Sequence, residues 1–402
     1  MNESKVILQR FFLIIQLIVL IPSEFIIVLS NSFAFMGDVI DLLAIVLMVS
    51  YGVFVIVTNK MPTLITWLLL VLQLWLLIVT FNEKELFIKT AVGDLTRVVA
   101  VCLMIEYYRR NLNNLVSAFE SYYYIVVAIN FLTLIVFYPN GILTRIDGTP
   151  LYFLGYRNAF ALWFFPAIMF SLLRYEKNKK CFYIVFSMCF FSMFIEKSAS
   201  TIVALIVGIV FFIIIKNANL QRNKIICFFE VLSYLLLNVF IFSINKISEL
   251  PIIKYVVEDL LGRKLTFTGR TTLWEIAFNM ISENPVNGYG IGANVFVKES
   301  FWHAHNQILE YLIEGGIIAL GIFFGVLVLL CKRICQNRSL VQSRAFMVTI
   351  IMLFLYFLVE PATKVYFVPI YVFICNFYRY QNPEQKDTQR RVQVLFGKRR
   401  IF

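Results

Sequence analysis

Twelve apolar runs fill most of the sequence, at 6–21, 39–57, 62–81, 91–108, 118–138, 157–173, 181–195, 199–215, 225–244, 307–331, 343–359 and 361–378. A helix that crosses the hydrocarbon core of a bilayer needs about 20 apolar residues, within a range of roughly 17–25. Inside lipid a backbone satisfies its own polar groups only as a helix or a closed barrel. Runs of this length therefore predict an all-α polytopic integral membrane protein with about twelve transmembrane helices. The runs at 157–173, 181–195 and 199–215 are short, which suits helices that are tilted, broken or extended into their loops. A soluble fold is the wrong reading: 60% of the 402 residues are hydrophobic and 15% charged, against roughly 45–50% and about 25% in soluble domains. A single core also stops growing beyond roughly 250–300 residues. The first run lacks a small-x-small cleavage site and is followed by Pro22, Ser23 and Glu24, so it is expected to be a span and not a signal peptide.

The net charge of +12 does not mark a nucleic-acid protein, because the basic residues do not gather on one polar segment with interleaved aromatics. They lie in alternate gaps between apolar runs. With a cytoplasmic N-terminus, the short inside gaps hold 16 Lys and Arg, the tail after Tyr378 seven more, and the short outside gaps six. By the positive-inside rule both termini are then cytoplasmic. All seven cysteines fall in spans or at their cytoplasmic ends, where no oxidising compartment would pair them. The chain divides into nine spans (1–244), an extracytoplasmic loop (245–306), three more spans (307–378) and a basic cytoplasmic tail (379–402). The loop holds two amphipathic stretches. One runs from Pro251 to Gly262. The second opens on the capping-box pair Thr272 and Glu275 and ends before Pro285, with Leu273, Ile276, Ala277, Met280 and Ile281 on one face. Such helices beside a bilayer are expected to lie flat at its outer interface.

The only two histidines, His303 and His305, stand where this loop enters the tenth span, beside Asn306, Gln307 and Glu310. An imidazole exchanges protons near neutral pH, which suits general-base work. His-x-His also supplies two ligands to zinc, but a tetrahedral site needs four, and Glu299 or Glu310 would have to complete it. Upstream, Arg270 is an outside arginine far from the cytoplasmic clusters, and its guanidinium fork matches phosphate oxygens. Gly288-Tyr289-Gly290-Ile291-Gly292 has the wrong spacing for a dinucleotide fingerprint and reads as a turn. Asp94 and Arg97 share a face of the fourth span and can pair, which reads equally as an intramembrane functional site or as a structural ion pair. Arg145, Arg157 and Asn158 sit in another outside loop. Glu360-Pro361 and Lys364 make the turn between the last two spans, and both read as solvated.

Gly269-Arg270-x-x-x-Trp274, Glu283-Asn284-Pro285-x-x-Gly288-Tyr289-Gly290-x-Gly292, His303-x-His305-Asn306-Gln307-x-Leu309-Glu310 and Glu314-Gly315-Gly316 together resemble the signature of the O-antigen ligase/polymerase family, which includes Wzy-type polysaccharide polymerases. The likeness is specific over 269–318. Gly155-x-x-Asn158-Ala159 and Ser198-x-Ser200 resemble the family's middle region, although Arg157 stands where Pro-Asn is common. The resemblance implies a glycosyltransferase acting on undecaprenyl-diphosphate-linked oligosaccharides at the outer face of a bacterial cytoplasmic membrane, with no cofactor, metal or nucleotide-sugar. His305 matches the family's catalytic histidine. Arg270, Arg145 and Arg157 would meet the diphosphate, and Asn158, His303, Asn306 and Glu310 would serve in binding. The partners implied are the lipid-linked oligosaccharide, the bilayer, a flippase and a chain-length regulator. Polymerisation of repeat units into O-antigen, capsule or exopolysaccharide is the leading reading. An O-antigen ligase using a lipid A–core acceptor is the nearest alternative. A twelve-span transporter is the alternative from another class. Against it, the two halves show no repeat, and the gap between the sixth and seventh spans is only 174–180.

Overall fold

The computed structural model describes residues 3–58, 61–82, 88–145, 148–215, 224–242, 270–292, 303–338, 340–362 and 364–381. Every apolar run named above is occupied by a helix. These are α1 (Glu3–Leu20), α2 (Glu24–Ser32), α3 (Ala34–Val57), α4 (Leu64–Asn82), α5 (Ile88–Tyr108), α6 (Leu112–Phe137), α7 (Phe160–Leu173), α8 (Lys179–Ile195), α9 (Ala199–Ile215), α10 (Lys224–Phe242), α11 (Arg270–Glu283), α12 (Gln307–Gln336), α13 (Ser343–Phe357) and α14 (Lys364–Gln381). Four of them, α3, α4, α6 and α12, are long and apolar enough to cross a membrane alone. The α1–α2 pair, bent by 64°, makes a fifth if counted as one span. The only strands among the described residues are β1 (Leu143–Thr144) and β2 (Pro150–Leu151), a hairpin in the α6–α7 connection.

Burial separates an inner from an outer set of helices. Thirteen of the 14 residues of α7 are buried, and α14 is buried nearly all round, packed by α5, α7, α4 and α12. A helix covered on every side needs no polar face. The outer helices instead keep large apolar side chains exposed, among them Phe35, Leu42, Val46 and Ile56 on α3 and Leu132, Ile135 and Val136 on α6. Water would penalise so continuous an apolar exterior, whereas lipid accepts it.

One end of the bundle collects the parts that matter below. Side-chain bonds tie the end of α13 to the start of α12 (Glu360 to His305), the end of α10 to α12 (Asn238 to Asn306), and the loop before α7 to the end of α13 (Asn158 to Glu360). The end of α4 joins the same region through Thr80 and Ile291. The stretch from Pro251 to Gly262, expected as the first amphipathic helix, lies outside the described residues. The second forms α11, but its Leu273, Ala277 and Met280 are buried and α11 packs on α12. Its apolar face is thus covered by protein, which corrects the expectation of a helix lying flat on lipid.

Candidate active site

The site is built around the first residues of α12. Asn306 is its N-cap: Oδ1 accepts from Ile308 N at 2.9 Å and Leu309 N at 3.2 Å, satisfying two of the amides a helix start leaves unpaired. The Asn306 Nδ2 donates to Asn238 Oδ1 at 2.8 Å and to the Leu358 carbonyl at 3.1 Å. Asn306 is 0% exposed, and these bonds anchor the helix start. On the other side Ala304 is pinned twice, its N–H donating to Glu310 Oε2 at 2.9 Å and its carbonyl accepting from the Trp274 indole at 3.0 Å. Glu310 therefore also holds the loop in place. Between these anchors His305 takes φ +50°, a left-handed conformation that costs about 1–3 kcal/mol and persists only where its surroundings impose it.

That turn aims the imidazole at the α13–α14 connection. His305 Nδ1 lies 3.1 Å from Glu360 Oε2, and Glu360 Oε1 accepts from Asn158 Nδ2 at 2.8 Å. Asn158 is held in turn by the Tyr356 hydroxyl, which donates to its carbonyl at 3.0 Å. The Glu360 side chain is 1% exposed and that of His305 29%. Glu360 is buried between two donors, contrary to the solvated turn expected from the sequence. A carboxylate facing Nδ1 fixes the proton there in the neutral ring and leaves the free lone pair on Nε2. Gln307 completes the framework by accepting the Ala362 N–H at 2.7 Å, which ties the α13–α14 turn to α12.

His303 does not lie in a free loop. Its ring packs edge-on against His305 with centroids 4.1 Å apart, and its Nδ1 accepts the His305 N–H at 3.3 Å. His303, His305 and Glu360 thus present possible ligand atoms within 4.8 Å of one another. Two imidazoles and a carboxylate match the three-ligand set of a catalytic zinc. Ligation through His305 Nδ1, however, would have to displace its contact with Glu360.

The glycine-rich segment after α11 is neither a cofactor loop nor a simple turn. α12 is broken at Gly315 and at Gly316, whose φ is +63°. The carbonyls freed by the break accept from this segment, Tyr289 N–H to Ile313 O at 2.7 Å and Gly290 N–H to Glu314 O at 2.9 Å, while Ile317 N–H donates to Pro285 O at 2.9 Å. The Trp75 indole donates to Gly315 O at 2.8 Å. A Cβ on Gly288 would fall 2.5 Å from the Ile313 carbonyl oxygen, and one on Gly316 would fall 2.0 Å from that of Val286. Only glycine lets the two backbones close into this clasp. The clasp keeps the loop and the His305 end of α12 in one register, satisfying backbone that would be costly to leave bare in a bilayer.

Charged groups of the bundle differ from expectation in two respects. Arg97 donates to Asp41 Oδ1 at 2.5 Å and does not pair with Asp94. Packing of α3 on α5 brings Asp41 in, and no spacing rule within α5 could indicate that. Lys364, also read as solvated, is buried and pairs with Glu314 at 2.5 Å. Arg145 stacks over Tyr156 at 5.0 Å and lies within electrostatic reach of Glu24. Arg157 is exposed next to Asn158. Burial pushes the Glu196 carboxyl up, opposed by the Tyr152 hydrogen bond and the nearby Arg157 charge, so Arg157 faces the end of α8. Arg270 begins α11, and its side chain lies outside those described. Of the expected site residues, His305, His303, Asn158, Asn306 and Glu310 are brought together. Glu360 is the member that sequence reasoning passed over. Its one local signal was an acid placed directly before Pro361 in a short turn between apolar runs.

No curated protein matches the chain. Residues 184–324, which include α11, the glycine clasp and the His305 turn, match the family model described as O-antigen ligase, in agreement with the resemblance read from the motifs of this stretch.

Proposed function

We propose that this protein is a membrane glycosyltransferase that polymerises undecaprenyl-diphosphate-linked oligosaccharide repeat units at the outer face of the cytoplasmic membrane. The observation that carries the proposal is the Asn158–Glu360–His305 chain of contacts at the start of α12. It is the arrangement a general base needs: a ring oriented by a buried acid that is itself oriented.

In the reaction, His305 Nε2 takes the proton from a sugar hydroxyl of the acceptor. The oxygen attacks the anomeric carbon of the donor, a new C–O bond forms, and the bond to the diphosphate breaks. The electron pair leaves with undecaprenyl diphosphate, and the imidazolium proton passes to solvent or the leaving group. Glu360 stabilises the imidazolium as it forms. The diphosphate is already a good leaving group, so what it requires is positive charge where its own charge develops. Arg270 is assigned that role, with Arg157 and Arg145 as the further arginines of the loops. The positive-inside charge pattern supports placing this end of the bundle outside and both termini in the cytoplasm. A flippase and a chain-length regulator would be the functional partners.

The ligase reading uses the same donor and the same base and differs in its acceptor. The deciding experiment supplies purified protein with radiolabelled lipid-linked repeat units, with and without lipid A–core. Lengthened glycan on the lipid carrier is the expected product. Product found only on lipid A–core would assign a ligase, and no new glycosidic bond would overturn both readings.

A further inference from the structure

At the end of the bundle opposite His305, two cavities adjoin at Arg174 and Lys177. The first, of about 380 Å³, has polar walls that include Arg10 on α1 and Asn113, Asn114 and Ser117 around the start of α6. The second, of about 680 Å³, adds Lys180 and an apolar wall of Tyr124, Ile125 and Ile184 on α6 and α8. These three side chains are 37%, 43% and 48% exposed, so the second cavity opens sideways onto the apolar exterior of the bundle.

The charges of this recess are unbalanced. Glu120 is the single carboxylate on either wall among the described residues, and Arg174 holds it at 2.8 Å. Among the described residues Arg10, Lys177 and Lys180 form no ion pair, and the Arg10 Nε is buried with no hydrogen-bond partner. A guanidinium N–H shut away from water is costly unless it meets an acceptor, and phosphate oxygens match its fork. Basic pockets between spanning helices are suited to anionic head groups. A soluble anion would find charge in the first cavity but nothing to use in the apolar side opening of the second.

From this two-part lining we infer a structural phospholipid site. The phosphodiester of an anionic phospholipid lies between Arg10 and Lys177, and an acyl chain leaves along Tyr124, Ile125 and Ile184. The site is separate from the chemistry at His305 and stands or falls without it.

The test uses the full chain, delipidated in detergent and titrated with phosphatidylglycerol, phosphatidylcholine or inorganic phosphate, with bound lipid counted by native mass spectrometry. Wild type should take up one phosphatidylglycerol per chain in preference to phosphatidylcholine. A basic residue near an anionic membrane surface contributes roughly fivefold, so Arg10→Gln with Lys177→Gln should weaken uptake about twenty-five-fold. Ile184→Trp, which keeps every charge and obstructs the apolar opening, should also lower uptake and serves if the double variant does not fold. Lys332→Gln, at the same end but outside both cavities, should leave uptake unchanged. Equal uptake of the two lipids, or an equal loss in Lys332→Gln, would overturn the site. Saturation by inorganic phosphate that excludes phosphatidylglycerol would overturn the assignment to a lipid.

Discussion

Replacing Glu360 with glutamine keeps the size of the side chain and removes its charge, which isolates the part assigned to it. In the proposed step the His305 ring goes from neutral to cationic 3.1 Å from Glu360 Oε2. Two unit charges at that distance, at an effective dielectric constant of about 20, attract by about 5 kcal/mol. With the proton about half transferred in the transition state, about 2.7 kcal/mol of this acts on the barrier, or roughly 100-fold in rate. The amide also brings a donor where both neighbours, His305 Nδ1–H and Asn158 Nδ2, now donate. Asn158 can reverse its amide to present oxygen, so the local geometry can survive the change. Glu360→Gln is accordingly expected to lower kcat about 100-fold with KM nearly unchanged, while Glu360→Asp recovers part of the rate. Initial rates of glycan extension on radiolabelled lipid-linked units measure this, with protein amounts matched by immunoblot and folding checked by size-exclusion chromatography. A folded Glu360→Gln protein with kcat within threefold of wild type would refute the orienting role. A change confined to KM would move Glu360 to substrate binding.

His305→Ala should nearly abolish extension, since general-base help is worth about 10²–10⁴-fold. His303→Ala should retain a measurable fraction of the rate, because it removes the acceptor of the His305 N–H and a ring contact but leaves the Glu360–His305 contact in place; chelators should leave wild type active. Equal loss in the two variants together with chelator sensitivity would instead assign His303, His305 and Glu360 to a metal. Arg270→Lys keeps a charge but loses the bidentate fork, so extension should drop substantially while membrane insertion persists; full activity of Arg270→Ala would remove it from the site. Gly316→Ala puts a Cβ 2.0 Å from the Val286 carbonyl oxygen at a left-handed φ and should cost more than about 2 kcal/mol. Thermal unfolding in detergent should show this, whereas Gly321→Ala, with nothing within 4 Å, should unfold as wild type does. Cysteines placed at Lys264 or Lys298 should react with an impermeant reagent from outside, and cysteines at Lys179 or Arg338 should not; the opposite pattern would invert the topology and the site with it.

The sequence alone determined the helical class, because hydropathy over a window of about twenty residues is a local property and a bilayer admits few other folds. It also marked where the proposed site would form, since the two histidines stand two positions apart at the entrance to α12. It could not supply their company. Glu360 reaches His305 across 55 residues, and Asn158 reaches Glu360 across 202. Those separations close only through the packing of α7, α12 and α13. The Asp94–Arg97 expectation failed for the same reason: a face shared on one helix makes a pair available, but Asp41 arrived from another helix and took Arg97. Gly288 and Gly316 were visible as glycines, yet their need for a bare Cα arises only where two backbones separated by 28 positions meet. Residue type and spacing act along one helix or one loop, whereas the orienting acid, the broken span and the lipid recess depend on which helices become neighbours. That choice is made by the whole bundle at once.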